Sequence, residues 1–172
     1  MSVMIRGLDP IRYRPTRAKI ASAVAYVLTR IPAIAAPDLA WIFYRAERRH
    51  LNDYGRPVMG LNYGDDNGCP KCREVLDLLV PGDMTPVVAV GGKLRLVRGY
   101  GIERDLFSVS DFKALDRACG DFARMNEAER RAAMPHGWNA GDHEWLGYEN
   151  MIEGRSEEEV LELASIAPYL AF

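Results

Sequence analysis

Cysteine is scarce in this sequence, and no hydrophobic run is long enough for a membrane span. The three cysteines are an odd number in a chain of 172 residues, which can bury a core without disulfides, so we expect a reducing compartment. The longest apolar stretch, AKIASAVAYVL, is interrupted by Lys19 and ends before Thr29 and Arg30, well short of the roughly 20 residues that cross a bilayer. The first residues also lack the apolar block of a signal peptide. These absences predict a cytoplasmic protein without a membrane partner.

Excess charge of one sign is missing as well. With 22 basic and 24 acidic residues the formal net charge is −2, which argues against a protein that binds nucleic acid over its whole surface. The two ends nevertheless differ in sign, because glutamates crowd the end of the chain while basic residues crowd its start. The basic residues at the start are Arg6, Arg12, Arg14, Arg17 and Lys19. This asymmetry fits either a charged partner or compensation within the fold.

Catalytic motifs are absent too. No serine stands between glycines in a nucleophile elbow, and no glycine-rich phosphate loop is present. The segment GYGIER at Gly99 lacks the third glycine of a dinucleotide-binding turn, and HEWLG at His143 lacks the second histidine of a zinc-protease helix. We therefore expect a protein that is not an enzyme and needs no cofactor.

Helical periodicity dominates what the sequence does contain. Apolar residues recur at helical spacing from Arg17 to Arg30, and Pro32 stops that helix. Pro37 opens a second helix, which Gly55 closes. Three later helices are predicted from residues that can cap their starts: Ser108 or Ser110, Asn126 and Ser156.

One β signal is clear. The runs PVVAV and KLRLV are joined by two glycines, a connection suited to a primed hairpin turn. In the second run Leu94 and Leu96 alternate with Lys93 and Arg95, so one face of the hairpin should be exposed and basic. The predicted fold is mainly α, a compact domain of about six helices with one small antiparallel hairpin at about residues 86–98. Residues 1–16 are predicted to form an N-terminal arm.

A zinc site is the metal hypothesis with the best ligand spacing. Cys69 and Cys72 form a CxxC pair, for which His136 and His143 could supply the other two donors. The histidines lie further apart than a paired-histidine motif allows, and no second CxxC is present. Zinc at Cys69 and Cys72 is therefore the weaker alternative to no metal at all.

The structural interpretation of the same segment is a short helix. In the predicted helix CPKCREVLDLL the cysteines share one stripe with Leu76 and Leu79, where cysteine acts as a small buried apolar residue. A calcium loop is disfavoured because Tyr63 stands where the leading carboxylate ligand should be.

The end of the second predicted helix carries a distinctive combination of residues. A lysine leads the first helix, and an aromatic pair, His-Leu and Tyr-Gly-Arg-Pro follow in order before an extended tyrosine segment. The residues are Lys19, Phe43, Tyr44, His50, Leu51, Tyr54, Gly55, Arg56, Pro57 and Tyr63. In type and order they resemble the Panacea domain, the SocA-like antitoxin family. The resemblance covers roughly residues 17 to 146, with one inserted residue near GCP and with His136 and Trp145 as candidates for a later His and Trp region.

The resemblance implies a helical domain, here residues 17–172, that acts by protein binding. Many members of the family neutralise a toxin encoded beside them, and one type is an adaptor that delivers its toxin to a protease. The residues that would then shape the domain are Tyr44, His50, Tyr54, Gly55, Arg56, Pro57, His136 and Trp145.

The leading functional hypothesis is an antitoxin of a type II toxin-antitoxin system that binds a cognate protein toxin. The expected partner-binding residues are Lys93, Arg95, Tyr100 and Arg104. The alternatives are a proteolytic adaptor, or a nucleic-acid-binding regulator from a mobile genetic element that uses the N-terminal arginines. A metal-dependent enzyme built on the two cysteines and two histidines is a third class.

Overall fold

The fold is mainly helical, as predicted. A computed structural model describes residues 9–66, 68–80, 85–134, 147–170 and 172. The α-helices in this part of the chain are α1 (Arg17–Arg30), α2 (Ala36–Tyr54), α3 (Arg73–Asp77), α4 (Val109–Arg124), α5 (Glu127–Ala132) and α6 (Glu157–Ile166). The strands are β1 (Tyr63–Asp66), β2 (Cys69–Cys72), β3 (Val87–Val90) and β4 (Lys93–Leu96). Short 3₁₀ helices span Arg104–Leu106, Tyr148–Met151 and Ala167–Tyr169.

Helix α2 lies at the centre of the core. Its inward face is apolar at helical spacing, and α4 packs along it. The buried apolar residues of the two helices include Leu39, Ile42, Phe43, Ala46, Leu51, Ala114, Leu115 and Ala118. Among the described helices, none has the length and apolar composition that crossing a membrane requires.

The helix starts confirm the capping predictions. Ser108, Asn126 and Ser156 each accept a hydrogen bond from the backbone N–H three residues later, and the acidic side chain at that position bonds back. These reciprocal capping boxes satisfy backbone donors that a helix start leaves unpaired. Gly55 closes α2 in the left-handed conformation, with φ of 73°.

The β3–β4 hairpin also forms where it was predicted. Its two turn glycines both have positive φ, 58° at Gly91 and 75° at Gly92, the combination that a type I′ turn requires. Strand β4 also forms an antiparallel bridge between Leu94 and Ile34, which ties the hairpin to the segment between α1 and α2.

A second hairpin was not predicted. Strands β1 and β2 pair antiparallel, with Tyr63 opposite Cys72. In the sequence, Asn67 and Gly68 stand between them. The Asn-Gly dipeptide is the strongest short-range hairpin signal. The segment CPKC is therefore a strand, packed against α2, and its predicted place at the start of a helix is wrong.

The inward face of α3 differs from the prediction for the same reason. Because the helix starts only at Arg73, the buried residues are Val75 within it and Leu78 just after its end, whereas Leu76 and Leu79 are exposed. The predicted stripe of two cysteines and two leucines does not exist.

Part of the predicted N-terminal arm belongs to the core. Ile11 and Tyr13 are buried, and the carbonyl oxygen of Ile11 accepts a hydrogen bond of 2.9 Å from the N–H of Tyr148. The rings of Tyr13 and Tyr148 meet edge to face, with their centroids 4.8 Å apart. This segment closes the core beside the 3₁₀ helix at Tyr148–Met151.

Alanine at Gly60 is expected to lower the free energy of unfolding by about 2–4 kcal/mol. Gly60 has φ of 78°, and a Cβ there would lie 2.5 Å from Cβ of Tyr13, so left-handed strain and a clash inside a packed core would add. Gly99 has φ of 81° with no atom near such a Cβ, so Gly99→Ala isolates the strain and should cost only about 1 kcal/mol. Urea unfolding followed by circular dichroism measures both, and equal losses would contradict the predicted clash.

Candidate functional site

His50 joins the end of α2 to the start of α4. The residue is only 1% exposed, and Nδ1 lies 2.7 Å from the carbonyl oxygen of Arg56. Because a carbonyl oxygen only accepts, Nδ1 carries the proton and donates it. The other ring nitrogen, Nε2, lies 3.0 Å from Oγ of Ser110, whose hydroxyl can donate to it. Burial lowers the pKa of His50, which favours this neutral form.

Asp111, on the first turn of α4, gathers the charged side chains around His50. Its Oδ2 accepts hydrogen bonds from the N–H of Ser108 at 2.9 Å and from Nζ of Lys19 at 3.4 Å. Its Oδ1 lies 3.1 Å from Nη2 of Arg56 and 3.2 Å from Nε2 of His50, without hydrogen-bond alignment to either. We call these five residues the Asp111 cluster. It connects α1, the end of α2 and α4.

Lys19 supplies the buried cation of the Asp111 cluster. The residue is 4% exposed, and Nζ lies 5.2 Å from the ring centroid of Phe107 and 5.4 Å from that of Phe172. Burial lowers the pKa of Lys19, while Asp111 acts in the opposite direction. A charged amine in such a site depends on its carboxylate partner and on the aromatic faces for compensation.

Glu47, one turn before His50 on α2, is a second buried acidic residue that connects separate parts of the chain. The side chain is fully buried, and its carboxylate accepts the backbone N–H groups of Val58, Met59, Gly60 and Leu61. The shortest of these bonds is 2.8 Å, from Val58. Burial raises the pKa of Glu47 to about 7, although the backbone hydrogen bonds act in the opposite direction. Glu47 thus holds the chain that follows the Tyr-Gly-Arg-Pro segment in one conformation.

Other residues predicted to shape the domain lie along α2 and in the segment that follows it. Tyr44 is buried and packs edge to face on Tyr63, with centroids 5.6 Å apart. Pro57 is buried, whereas Tyr54 is 60% exposed and its ring lies 4.6 Å from the ring of His50. His136 and Trp145, the later candidates from the resemblance, lie outside the described residues.

Sequence reasoning missed the two carboxylates on which this joint depends. A signal for Asp111 was present, since Ser108 and Asp111 have capping-box spacing. Glu47 stands four residues after Phe43 and four before Leu51, at a position on the buried face where a charged residue is unexpected.

The predicted partner-binding residues occupy two regions. Lys93 and Arg95 are exposed on β4, as expected. Tyr100 and Arg104 lie in the connection from the hairpin to α4, where Tyr100 is half-buried and the Arg104 guanidinium lies 5.6 Å from the ring centroid of Phe112. Burial raises the pKa of Tyr100. Arg104 is nevertheless exposed, as Lys93 and Arg95 are, so Tyr100 is the least open of the four predicted residues.

The two cysteines of the zinc hypothesis are poorly placed for joint ligation. Three positions apart on β2, Cys69 and Cys72 direct their side chains to opposite faces of the strand. Both are free thiols, and burial raises the pKa of Cys72 well above its usual value, which disfavours the thiolate that a metal needs. Among the described residues no group of three His, Cys, Asp or Glu side chains could hold a metal ion. His136 and His143 lie outside them.

The Asp111 cluster and Glu47 are arranged as structural contacts that hold separate segments of the chain together, and we call them the clamp. The contact between Ser110 and His50 is one that a nucleophile and its base also make, but Lys19, His50 and Asp111 are buried and direct their polar atoms at one another. A buried, hydrogen-bonded ion cluster of this kind fixes the relative positions of helices.

Comparison of the chain with family models, with curated proteins and with solved structures gave no match.

Proposed function

We propose that this chain is an antitoxin of a type II toxin-antitoxin system, which acts in the cytoplasm and neutralises a cognate protein toxin by direct binding. The observation that carries the proposal is the direction of the charged groups. Within the segment that resembles the Panacea domain, Lys19 and Asp111 are buried and paired, whereas Lys93 and Arg95 face outward. This division suits a scaffold that grips another protein at its surface.

The hairpin would be one part of a larger contact. A standard interface takes about 800 Å² from each partner, which is more than one face of a hairpin with two four-residue strands supplies. Tyr100 and Arg104, in the next segment of the chain, are the proposed extension. The proposed toxin is the protein encoded by the reading frame next to the one that encodes this chain.

Co-expression with this neighbouring product is the direct test. The neighbour alone should arrest growth, and the chain should restore growth in the same cells. Purified together, the two proteins should elute as one complex on size exclusion. A neighbour that is harmless when expressed alone, or an arrest that the chain does not relieve, would contradict the proposal.

Reversing the charge of Lys93 and Arg95 together should weaken binding of the toxin by about tenfold, because each charge would change from attraction to repulsion. The matched control reverses Arg12 and Lys113, which are also exposed but lie outside the hairpin, before α1 and on α4. Isothermal titration calorimetry measures the affinities, and circular dichroism checks that each variant is folded. Equal affinities of the two double variants would move the interface away from the hairpin.

A nucleic-acid-binding regulator is the second candidate. The observation that favours it is a short basic segment, since Arg12, Arg14 and Arg17 are all exposed just before α1 and at its start. Binding to the promoter region should then weaken steeply as the salt concentration rises.

A proteolytic adaptor would need its protease, so growth rescue would be lost in cells that lack the protease. Direct neutralisation of the toxin does not depend on the protease.

A further inference from the structure

The β3–β4 hairpin has one closed edge and one open edge. The outer edge of β4 is closed because Leu94 exchanges two backbone hydrogen bonds with Ile34, at 2.7 and 3.2 Å. On the other side, no backbone group within the described ranges pairs with β3 apart from those of β4. Strand β3 is therefore an edge strand.

The pairing pattern identifies which backbone groups face outward. In antiparallel strands the residues alternate in the direction of their N–H and C=O groups. Leu94 directs its groups at Ile34, so its partner Ala89 directs its own away from β4. Val87 has the same direction, but it is only 6% exposed. Ala89, which is exposed, is thus the accessible point of the edge, next to the turn.

The outer face of the hairpin combines apolar and basic side chains. Val88 lies opposite Arg95, and Val90 lies opposite Lys93. The valines are 46% and 55% exposed, although both belong to a residue type that is usually buried. Neither Lys93 nor Arg95 forms an ion pair within the part of the chain that the structure describes.

The open edge of β3 and the outer face of the hairpin together determine what kind of strand can be added to β3. A strand added to β3 would lie about 10 Å from β4, two strand spacings away. Lysine and arginine side chains are long enough to extend over the valines and meet a glutamate on such a strand. The backbone of the occupant would pair with Ala89. Its acidic side chains would lie beside Val88 and Val90 on the outer face, within reach of Lys93 and Arg95, and its apolar side chains would lie on the opposite face, beside Ala89.

We infer that β3 binds an extended segment of the partner protein by strand addition at Ala89, and that this segment carries acidic residues on the side of Lys93 and Arg95. The inference deepens the proposed function and rests on it for the identity of the partner. A second copy of this chain is a poorer occupant. Pairing two β3 edges would align the Lys93 and Arg95 side chains of both copies on one surface, where like charges repel.

The test uses a defined probe with the full chain. A fluorescent peptide of alternating valine and glutamate is titrated with the protein, alongside a matched peptide with lysine in place of glutamate. The glutamate peptide should bind, more weakly as salt is added, and it should slow hydrogen exchange of the Ala89 amide. The lysine peptide should not bind. Equal binding of the two peptides, or unchanged exchange at Ala89, would overturn the inference.

Two variants separate the backbone contribution from the charge contribution. Ala89→Pro removes an N–H that β4 does not use, and an edge position is where proline is tolerated in a strand. It should raise the Kd of the glutamate peptide about tenfold, as should joint reversal of Lys93 and Arg95. The Arg12→Glu, Lys113→Glu control should leave the Kd unchanged. If Ala89→Pro does not fold, the charge variant and the exchange measurement still decide the question.

The outcomes distinguish this inference from the proposed function. If the neighbouring product is not a toxin but the glutamate peptide binds as described, the antitoxin proposal fails and the strand-addition site stands. If rescue occurs while the glutamate peptide does not bind, the antitoxin proposal stands and the site is wrong. Dimerisation of the chain that Ala89→Pro abolishes, measured by analytical ultracentrifugation, would assign the edge to a second copy and overturn the inference.

Discussion

Replacing Glu47 by glutamine is expected to lower the free energy of unfolding by about 3–5 kcal/mol. The carboxylate accepts four backbone N–H groups in a site with no exposure to solvent. Glutamine keeps the size of the side chain, but its NH₂ group cannot accept, so it would face backbone donors that then lack partners. Urea unfolding at pH 7 measures the loss. Glu127→Gln is the matched control, because the side chain of Glu127 is 76% exposed, and it should change stability by less than about 0.5 kcal/mol.

The same variant has a pH signature of defined sign. Burial raises the pKa of Glu47 from 4.5 to about 7 in the folded state, so between these values the folded chain binds a proton that the unfolded chain releases. The stabilisation linked to this proton is present below pH 4.5 and is lost as the pH rises through about 7. Glutamine carries no such proton. The difference in stability between wild type and Glu47→Gln should therefore shrink from pH 5 to pH 8, by at most about 1.4 kcal/mol per pH unit.

A difference that widens with pH would show that the four N–H groups outweigh burial and that the folded state prefers the ionised carboxylate. A loss at pH 7 no greater than that of Glu127→Gln would contradict the role of Glu47 as a clamp. Both results are readable from unfolding curves alone, so they do not depend on the proposed partner.

Asparagine at Asp111 is expected to cost about 3–5 kcal/mol. The change would remove the only anion within 4 Å of the buried Lys19 amine among the described ion pairs, and Arg56 would lose its carboxylate partner too. A buried charge without a partner costs more than the net value of the pair. Asp116→Asn on the same helix is the matched control. The side chains of Asp116 and of its ion-pair partner Arg30 are 45% and 39% exposed, so Asp116→Asn should cost less than about 1 kcal/mol.

A double-mutant cycle tests the mechanism of this loss. Lys19→Met should cost less than Asp111→Asn, because Asp111 keeps Arg56 and the N–H of Ser108. If the Asp111→Asn loss comes from an uncompensated amine, Lys19→Met added to it should restore part of the stability. We expect a coupling energy of about 1–3 kcal/mol. Losses that simply add would show that the two side chains act independently.

The helices were predictable because their signals are local. The helix Arg17–Arg30 follows from apolar spacing between a basic start and Pro32. Ser108 and Ser156 mark the starts of α4 and α6 through capping boxes that each span only four residues. Gly91 and Gly92 likewise set the turn of one hairpin. In each case the interacting groups lie within one turn of the same element, so the pattern can be read along the chain.

The CPKC segment shows where such reading fails. A stripe of cysteines and leucines has helical period, but Tyr63 and the residues after it supply backbone partners that make Cys69–Cys72 a strand. The Asn-Gly signal between the two strands competed with the helical period, and pairing across the turn prevailed. Local propensity was overridden by a contact with the neighbouring segment.

The proposed binding site could be read from sequence only in part. Alternation in KLRLV correctly placed Lys93 and Arg95 on the exposed face of the hairpin. The open β3 edge could not be read in the same way, because it depends on Ile34 occupying the other edge.

Fold class, the capped starts of α4, α5 and α6 and the basic face of the hairpin were contained in the amino-acid order alone, whereas the start of α3 was not. The clamp at the centre was not, because Lys19 and Asp111 are 92 residues apart and Ser110 lies 60 residues from His50. Capping and turn signals act over a few residues, through groups that covalent geometry already holds close together. A buried charge finds its partner only when packing brings distant helices into contact, and burial then sets both its pKa and its contribution to stability.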